Sequence, residues 1–260
     1  MSVSTLYRYR PFHSEEDKER AGEIIRGNEL YFSCPLDFND PFDCRPKILL
    51  DGSDEDFKKY FREALPRIYP AIPPEEIEPQ VSKMIASGRH RELNELLPTW
   101  TENLLKKIGV CCFSEVCDDI LMWSHYSGGH TGYCLEFLAT NSTPFFGEAQ
   151  KVEYSDEYPI IDYLSVPPKE LKRELTVKSL LTKSAHWSYE KEWRIFYPDG
   201  AKQDHLFPTE YLTGIILGAR MPEEDKQCLI ELNRRRKNPC PVMQAELKER
   251  KFGLNVVPIA

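Results

Sequence analysis

An aromatic-rich stretch at residues 186–197 constrains the fold of this chain more than any other segment. Its second half is dense in strand-forming residues, which predicts a β-strand over residues 189–197. Side chains alternate between faces along a strand, so Glu190, Glu192 and Arg194 would share one face. Charged groups on an otherwise apolar strand are costly to bury without partners. They therefore predict either a ligand-binding cleft or a structural network of ion pairs.

Composition narrows the class of protein. The 260 residues are 41% hydrophobic, which is enough for a sizeable core, and the net charge of -8 excludes an overall basic surface of the nucleic-acid-binding kind. A local basic cleft is still compatible with that charge.

We find no apolar run that could span a membrane and no signal peptide, so a cytoplasmic protein with no membrane partner is expected. The eight cysteines lack metal-site spacing and are expected to be free, buried thiols.

Hydrophobic periodicity predicts an α+β fold with a mixed, mostly antiparallel sheet core. Strand patterns start at Leu6 and recur along the chain, and Ser14 and Ser53 are expected to cap helices. Residues 53–108 read as consecutive amphipathic helices. We therefore expect a single domain over residues 1–260, with residues 53–108 as a helical insertion within it.

Two polar strand faces suggest where chemistry could occur. Arg8 and Arg10 alternate with tyrosines on the first strand, and Glu190 and Glu192 lie on the late one. If both faces lined one cleft, a guanidinium would bind an anion while a carboxylate faced a developing positive charge. That pairing suits chemistry on a phosphate-bearing sugar.

Six short sequence blocks occur in order along nearly the whole chain. They are Tyr-Arg-Tyr at residues 7–9, then residues 38–43, 112–115, 122–126, 132–137 and 187–194. Together they resemble the bacterial domain-of-unknown-function family 2971. That family has no assigned activity, so this resemblance implies no particular chemistry.

The order of a strand with arginine, a strand ending in serine and a late strand with Glu-x-Glu is similar to ADP-ribosyltransferases of the arginine-serine-glutamate type. The resemblance implies a split-sheet fold and NAD as substrate, with Arg8 on the NAD phosphate or ribose. Ser33 would buttress the site, although the Ser-Thr-Ser of that family is absent here. Glu192 would stabilise the oxocarbenium-like transition state and Glu190 would assist the acceptor. The remaining predicted cofactor-binding residues are Phe38, His125 and Tyr126, and an aromatic stacking on nicotinamide could be Tyr31, Phe38 or Tyr126.

Three functional hypotheses follow. The first is an NAD-dependent ADP-ribosyltransferase-like enzyme, acting as a toxin, effector or defence component on an unidentified acceptor. The second is a metal-dependent hydrolase or nuclease, with oxygen and nitrogen ligands of the kind that Mg²⁺ or Mn²⁺ accepts. Its candidate ligands are Asp40, Asp43, His125, His130, Glu136 and Glu192. The third is a non-catalytic module that binds NAD or another nucleotide, or regulates a partner, and whose polar strand face is a structural salt-bridge network.

Overall fold

The computed structural model describes residues 4–259, apart from the side chain of Asn94. The described chain forms two compact units. Unit 1 comprises the residues up to Cys34, Ile108–Val152 and the segment from Ala185 onward. Unit 2 comprises Pro35–Lys107 and Glu153–Ser184. The prediction of helices between residues 53 and 108 falls inside unit 2.

The strands and helices are numbered in chain order. The strands are β1 (Thr5–Arg10), β2 (Glu29–Phe32), β3 (Lys47–Leu49), β4 (Gly109–Ser114), β5 (Tyr133–Leu138), β6 (Gln150–Lys151), β7 (Glu153–Ser155), β8 (Ile160–Asp162), β9 (Thr182–Ser184), β10 (Glu192–Tyr197), β11 (Gln203–Leu206), β12 (Leu212–Leu217), β13 (Val242–Leu247) and β14 (Leu254–Pro258). The α-helices are α1 (Glu15–Gly22), α2 (Asp54–Ile68), α3 (Pro74–Ala86), α4 (Arg89–Leu105), α5 (Ile120–Tyr126), α6 (Leu171–Thr176) and α7 (Glu223–Arg234).

Unit 1 is built on an eight-stranded sheet in the order β14-β13-β12-β5-β1-β4-β10-β6. Every neighbouring pair in it is antiparallel except β12 and β13, which are parallel. The predicted α+β class with a mixed, mostly antiparallel sheet is therefore confirmed. The sheet has one apolar core on each face: Leu6, Phe113 and Leu135 belong to the larger one. Tyr9 and Trp123 belong to the smaller one, against which α5 packs.

Helix starts follow their capping residues. Ser14 and Ser53 each accept a hydrogen bond from the backbone N–H three residues later. The aspartates at those positions, Asp17 and Asp56, bond back to the serine backbone and complete capping boxes. Both caps were predicted from the sequence, because a capping hydrogen bond joins residues that are only a few positions apart in the chain.

The strand predicted over residues 189–197 begins later than expected. Ala185–Glu190 form a 3₁₀-helix, and β10 starts only at Glu192. Lys191 lies between them with a φ of 44°, a region that non-glycine residues rarely adopt. The alternation is broken there, so Glu190 is not placed by strand geometry. Glu192 and Arg194 do share a face of the sheet, as predicted.

Unit 2 contains α2, α3, α4 and α6 with two small parallel strand pairs, β3 with β8 and β7 with β9. Leu50, Phe57 and Leu97 form its buried cluster. The helices expected between residues 53 and 108 are present. No pattern in the sequence, however, indicated that residues 153–184 belong to the same unit as these helices. Across residues 4–259, no helix combines the length and the apolar character needed to cross a membrane. All eight cysteines are free thiols, although only four of them are buried.

Candidate functional site

One face of the unit 1 sheet carries a row of polar side chains. Glu192 pairs with Ser114 on β4, and Ser114 pairs with Tyr7 on β1. Tyr7 in turn pairs with Glu136 on β5. Residues directly opposite each other in an antiparallel pair point to the same side. These four residues and Arg194, two positions along β10, are called the polar face below.

Arg194 and Glu192 form a bidentate ion pair in the interior. Arg194 donates from Nε to Glu192 Oε1 at 2.7 Å and from an Nη group to Glu192 Oε2 at 2.9 Å. The exposed fractions are 0% for Arg194 and 4% for Glu192. Two parallel hydrogen bonds between a guanidinium and a carboxylate are strong and orient both groups. The Glu192 carboxylate is therefore already neutralised by its own strand.

Glu190 is the second buried carboxylate next to the polar face. It is 3% exposed, and its Oε1 accepts a hydrogen bond of 2.5 Å from the Tyr126 hydroxyl. Ser114 Oγ donates to the Glu190 carbonyl at 2.7 Å, which fixes the end of the 3₁₀-helix against β4. His125 is exposed, with its ring 6.2 Å from the Tyr189 ring. The structure thus brings Tyr126 and Glu190 together and leaves His125 at the edge.

Glu136 also has donors supplied by unit 1. Thr213 Oγ1 donates to Glu136 Oε1 at 2.9 Å, and the Tyr7 hydroxyl donates to Oε2 at 3.4 Å. Burial, followed by the nearby Cys117 and Glu136, raises the pKa of Tyr7. Tyr7 is therefore a neutral donor at physiological pH. The carboxylates of this region are engaged with side chains rather than directed toward open solvent.

The prediction that Arg8 and Glu192 face a common cleft is wrong. Tyr7 lies on the same side as Glu192, and its neighbour Arg8 points to the other side of the sheet because side chains alternate. Arg8 donates to Cys111 Sγ and to the Cys112 carbonyl, and its guanidinium lies 5.7 Å from the centre of the Phe113 ring. An arginine engaged there does not reach a ligand that contacts Glu192.

Ser33 does not buttress Glu192 either. Its backbone forms a two-way bridge with Val110, near the start of β4. Glu192 pairs with Ser114, four residues further along β4, which is roughly 13 Å at about 3.3 Å per residue. Phe38 follows a 3₁₀ turn at Pro35–Asp37 and is half-buried within unit 2. Arg8 and Ser33, to which the resemblance assigns roles at the NAD site, therefore do not lie beside Glu192.

The described residues offer no ligand set for the metal-dependent alternative. Within residues 4–259, no group of three or more His, Cys, Asp or Glu side chains could hold a metal ion. Glu136 and Glu192, two of the proposed ligands, accept hydrogen bonds from Thr213 and Arg194 instead.

A second candidate site lies at the loop joining β13 and β14, residues 248–253, called the hairpin loop below. It carries Lys248, Arg250 and Lys251, and none of these three forms an ion pair in the part of the chain that is described. Phe252 at its tip is 100% exposed. Three cations without an ion pair among the described residues, beside an exposed aromatic ring, match the chemistry of a phosphate group attached to a planar base.

A cavity of about 650 Å³ lies between the hairpin loop and α5. One wall is Leu247 with the whole hairpin loop, and the other is Ile120, Leu121, Ser124 and His130. Cavities of this size accommodate small organic ligands. The wall from α5 adds a hydroxyl and apolar surface to the cations of the loop.

His130 is a neutral member of this cavity wall. Burial, followed by the charge of Arg220, lowers its pKa. Its Nε2 lies 3.2 Å from Ser124 Oγ, and its ring stacks on Trp123. Its φ of 71° is a strained conformation for a non-glycine residue, of the kind that concentrates at functional sites. His130 thus supplies hydrogen bonding and a flat surface rather than charge.

Sequence reasoning overlooked the hairpin loop. The signal was present in the run Lys248-Glu249-Arg250-Lys251-Phe252, because basic residues followed by an aromatic are a signature of nucleic-acid contact. No local pattern, however, reveals that this run faces α5, which is about 130 residues earlier in the chain.

One family model matches part of the chain. Residues 122–195 match the model described as "Protein of unknown function (DUF2971)". The match supports the resemblance to family 2971 seen in the sequence. It begins within α5 and ends within β10, so it includes both Tyr126 and Glu190. No curated protein and no solved structure matches the chain significantly.

Proposed function

We propose that this protein is a non-catalytic binding module whose ligand is a nucleotide, bound between the hairpin loop and α5. The observation that carries the proposal is the set of unpaired cations, Lys248, Arg250 and Lys251, around a ligand-sized cavity beside the exposed Phe252. Cations that form no ion pair with the described residues retain their attraction for an anion. An exposed ring offers a stacking surface to a base of any sequence.

The polar face has a structural role in this proposal. The buried carboxylates in it and next to it already accept hydrogen bonds from the protein, Glu192 from Arg194 and Glu190 from Tyr126. A carboxylate satisfied in this way has little capacity left for stabilising a developing cation. The proposal thus treats the ion pair on β10 as part of a structural salt-bridge network, which was the alternative to a ligand-binding cleft.

Nucleotide binding is tested by calorimetric titration with ADP and ATP at low and at physiological salt. We expect binding by the wild type and a loss of about 10-fold or more for the triple variant Lys248→Gln, Arg250→Gln, Lys251→Gln, because three charges near phosphate are removed. The side chains are at the tip of a loop, so the fold should be retained, which circular dichroism checks.

The matched control removes three exposed cations at the end of α7, as Arg234→Gln, Arg235→Gln, Lys237→Gln. It changes the net charge equally, so it separates a local site from general attraction. Undiminished binding by the hairpin triple variant, with or without a loss in the control, would refute the proposed site.

NAD cleavage by an enzyme with the ADP-ribosyltransferase-like split sheet is a second candidate function. The observation in its favour is the buried Glu190 carboxylate with the Tyr126 hydroxyl at 2.5 Å, an arrangement that suits proton transfer. Both residues lie in the segment matched by the family model. Against it stands the position of Arg8, which donates to Cys111 Sγ on the opposite side of the sheet and to the Cys112 carbonyl.

Nicotinamide release from NAD distinguishes the two functions. We expect no release above background by the wild type, by Glu190→Gln or by Glu192→Gln, because the anion-binding arginine is directed away. Turnover by the wild type that falls on the order of 10²-fold in Glu190→Gln would instead establish the enzyme.

A further inference from the structure

We infer that the ligand of the hairpin loop is a single-stranded oligonucleotide, which runs across Phe252 from one cavity into a second. This inference rests on the proposed function and makes its ligand specific. The second cavity, of about 300 Å³, shares Ile120, Lys248, Phe252 and Gly253 with the larger one. Phe252 and Lys248 therefore stand at the boundary of two adjoining cavities.

The two cavities differ in charge. The larger one has three cations, Lys248, Arg250 and Lys251, against the single carboxylate Glu249. The smaller one has Lys248 and Lys191 against Asp118 and Asp119. Because the positive and negative charges of the smaller cavity balance, it does not suit a triphosphate, which concentrates negative charge. It suits a sugar and a base, whose hydroxyl and amino groups can donate to a carboxylate.

Each of the two cavities is lined by an aromatic ring. Phe252 is fully exposed at the boundary, and Tyr189 lines the smaller cavity. Successive bases stacked on aromatic rings, with cations between them for the phosphates, are the usual mode of single-strand binding. Two rings and four cations distributed over two cavities match a chain of nucleotides better than one mononucleotide.

Two residues in the walls of these cavities have a strained backbone conformation. Lys191 in the smaller cavity has a φ of 44°, and His130 in the larger one has a φ of 71°. Left-handed conformations of non-glycine residues are retained where the surroundings enforce them, and they concentrate at binding sites. Both residues line a cavity wall.

The experiment is a length series measured by fluorescence anisotropy. Oligo(dT) and oligo(U) of two, six and twelve nucleotides compete with ATP and with a duplex of equal length, and the RNA and DNA arms identify the preferred sugar. We expect affinity to rise about 10-fold or more from ATP to the hexamer, and the duplex to bind more weakly. The slope of log K against log salt should be about -2 to -3, since each neutralised phosphate of a single strand contributes about -0.7.

Two variants separate stacking from charge. Phe252→Ala should lower the affinity for the hexamer at least about 5-fold without changing the salt slope, and Phe252→Trp should restore it, because stacking carries no charge. Lys248→Gln should reduce the magnitude of the slope by about 0.7. Phe252 is fully exposed, so neither replacement endangers the fold.

The outcomes are distinct for the two proposals. ATP binding as tightly as the hexamer, or a hexamer affinity unaffected by Phe252→Ala, would overturn this inference and leave the nucleotide module intact. No binding of any nucleotide, short or long, would overturn both.

Discussion

Arg194→Met is expected to destabilise unit 1 by about 3–5 kcal/mol, because it leaves the buried carboxylate of Glu192 without its bidentate partner. Glu192 is 4% exposed, so water does not replace the lost donors. The measurement is the free energy of unfolding in urea, followed by circular dichroism.

The matched control is Arg235→Met. Arg235 also pairs with a glutamate, Glu231, at 2.8 Å, but the two side chains are 63% and 48% exposed. An exposed pair contributes about 0–1 kcal/mol, so the control should remain close to the wild type. Equal losses in the two variants would show that the buried pair has no special importance.

The double variant Glu192→Leu, Arg194→Met tests the structural role assigned to the polar face. Replacing both members of a buried pair by apolar residues removes the desolvation cost together with the attraction. We expect the double variant to regain most of the stability lost by Arg194→Met and to bind nucleotide as the wild type does. Loss of binding in a stable double variant would place the ligand at the polar face instead.

Trp123→Ala is the other large expected effect, also about 3–5 kcal/mol. Trp123 is fully buried, its indole Nε1 donates to the Cys117 carbonyl at 2.8 Å, and the Tyr9 ring meets it edge-on at 5.3 Å. Truncation creates a cavity under α5 and leaves the Cys117 carbonyl without this donor.

The consequences of Trp123→Ala should extend to both candidate sites. The same helix supplies Tyr126 to Glu190 and Ser124 to the cavity, and the His130 ring stacks on Trp123. We expect weaker oligonucleotide binding together with a lower urea midpoint. Trp100→Ala is the control, because that tryptophan is 54% exposed on α4 in unit 2. A urea midpoint unchanged in Trp123→Ala would contradict the assigned packing.

Local features of the fold could be predicted well. The caps at Ser14 and Ser53 depend on residues three positions apart, and the alternation of β1 is contained in six residues. The position of Glu192 and Arg194 on one face of β10 likewise needs only the two-residue repeat of a strand. Each of these contacts joins near neighbours in the chain, so the sequence contains all the information that they require.

The candidate sites could be predicted only in part, for reasons visible in particular residues. The left-handed φ of Lys191 interrupts the alternation and puts Glu190 at the end of a 3₁₀-helix. Arg8 was expected opposite Glu192, and whether two distant strands present given residues on one side depends on their register. A shift of one residue in the pairing of β1 with β4 would have placed Arg8 on the same side of the sheet as Glu192.

The sequence by itself determined the α+β class, the helix starts and the shared strand face of Glu192 and Arg194, because these follow from short-range periodicity and capping chemistry. The tertiary structure alone decided that Arg8 and Glu192 are on opposite faces of the sheet. It also decided that the basic hairpin loop meets α5 to form a cavity. Both facts depend on which distant segments pack together, and that choice is made by burial of apolar surface over the whole chain rather than by any local pattern.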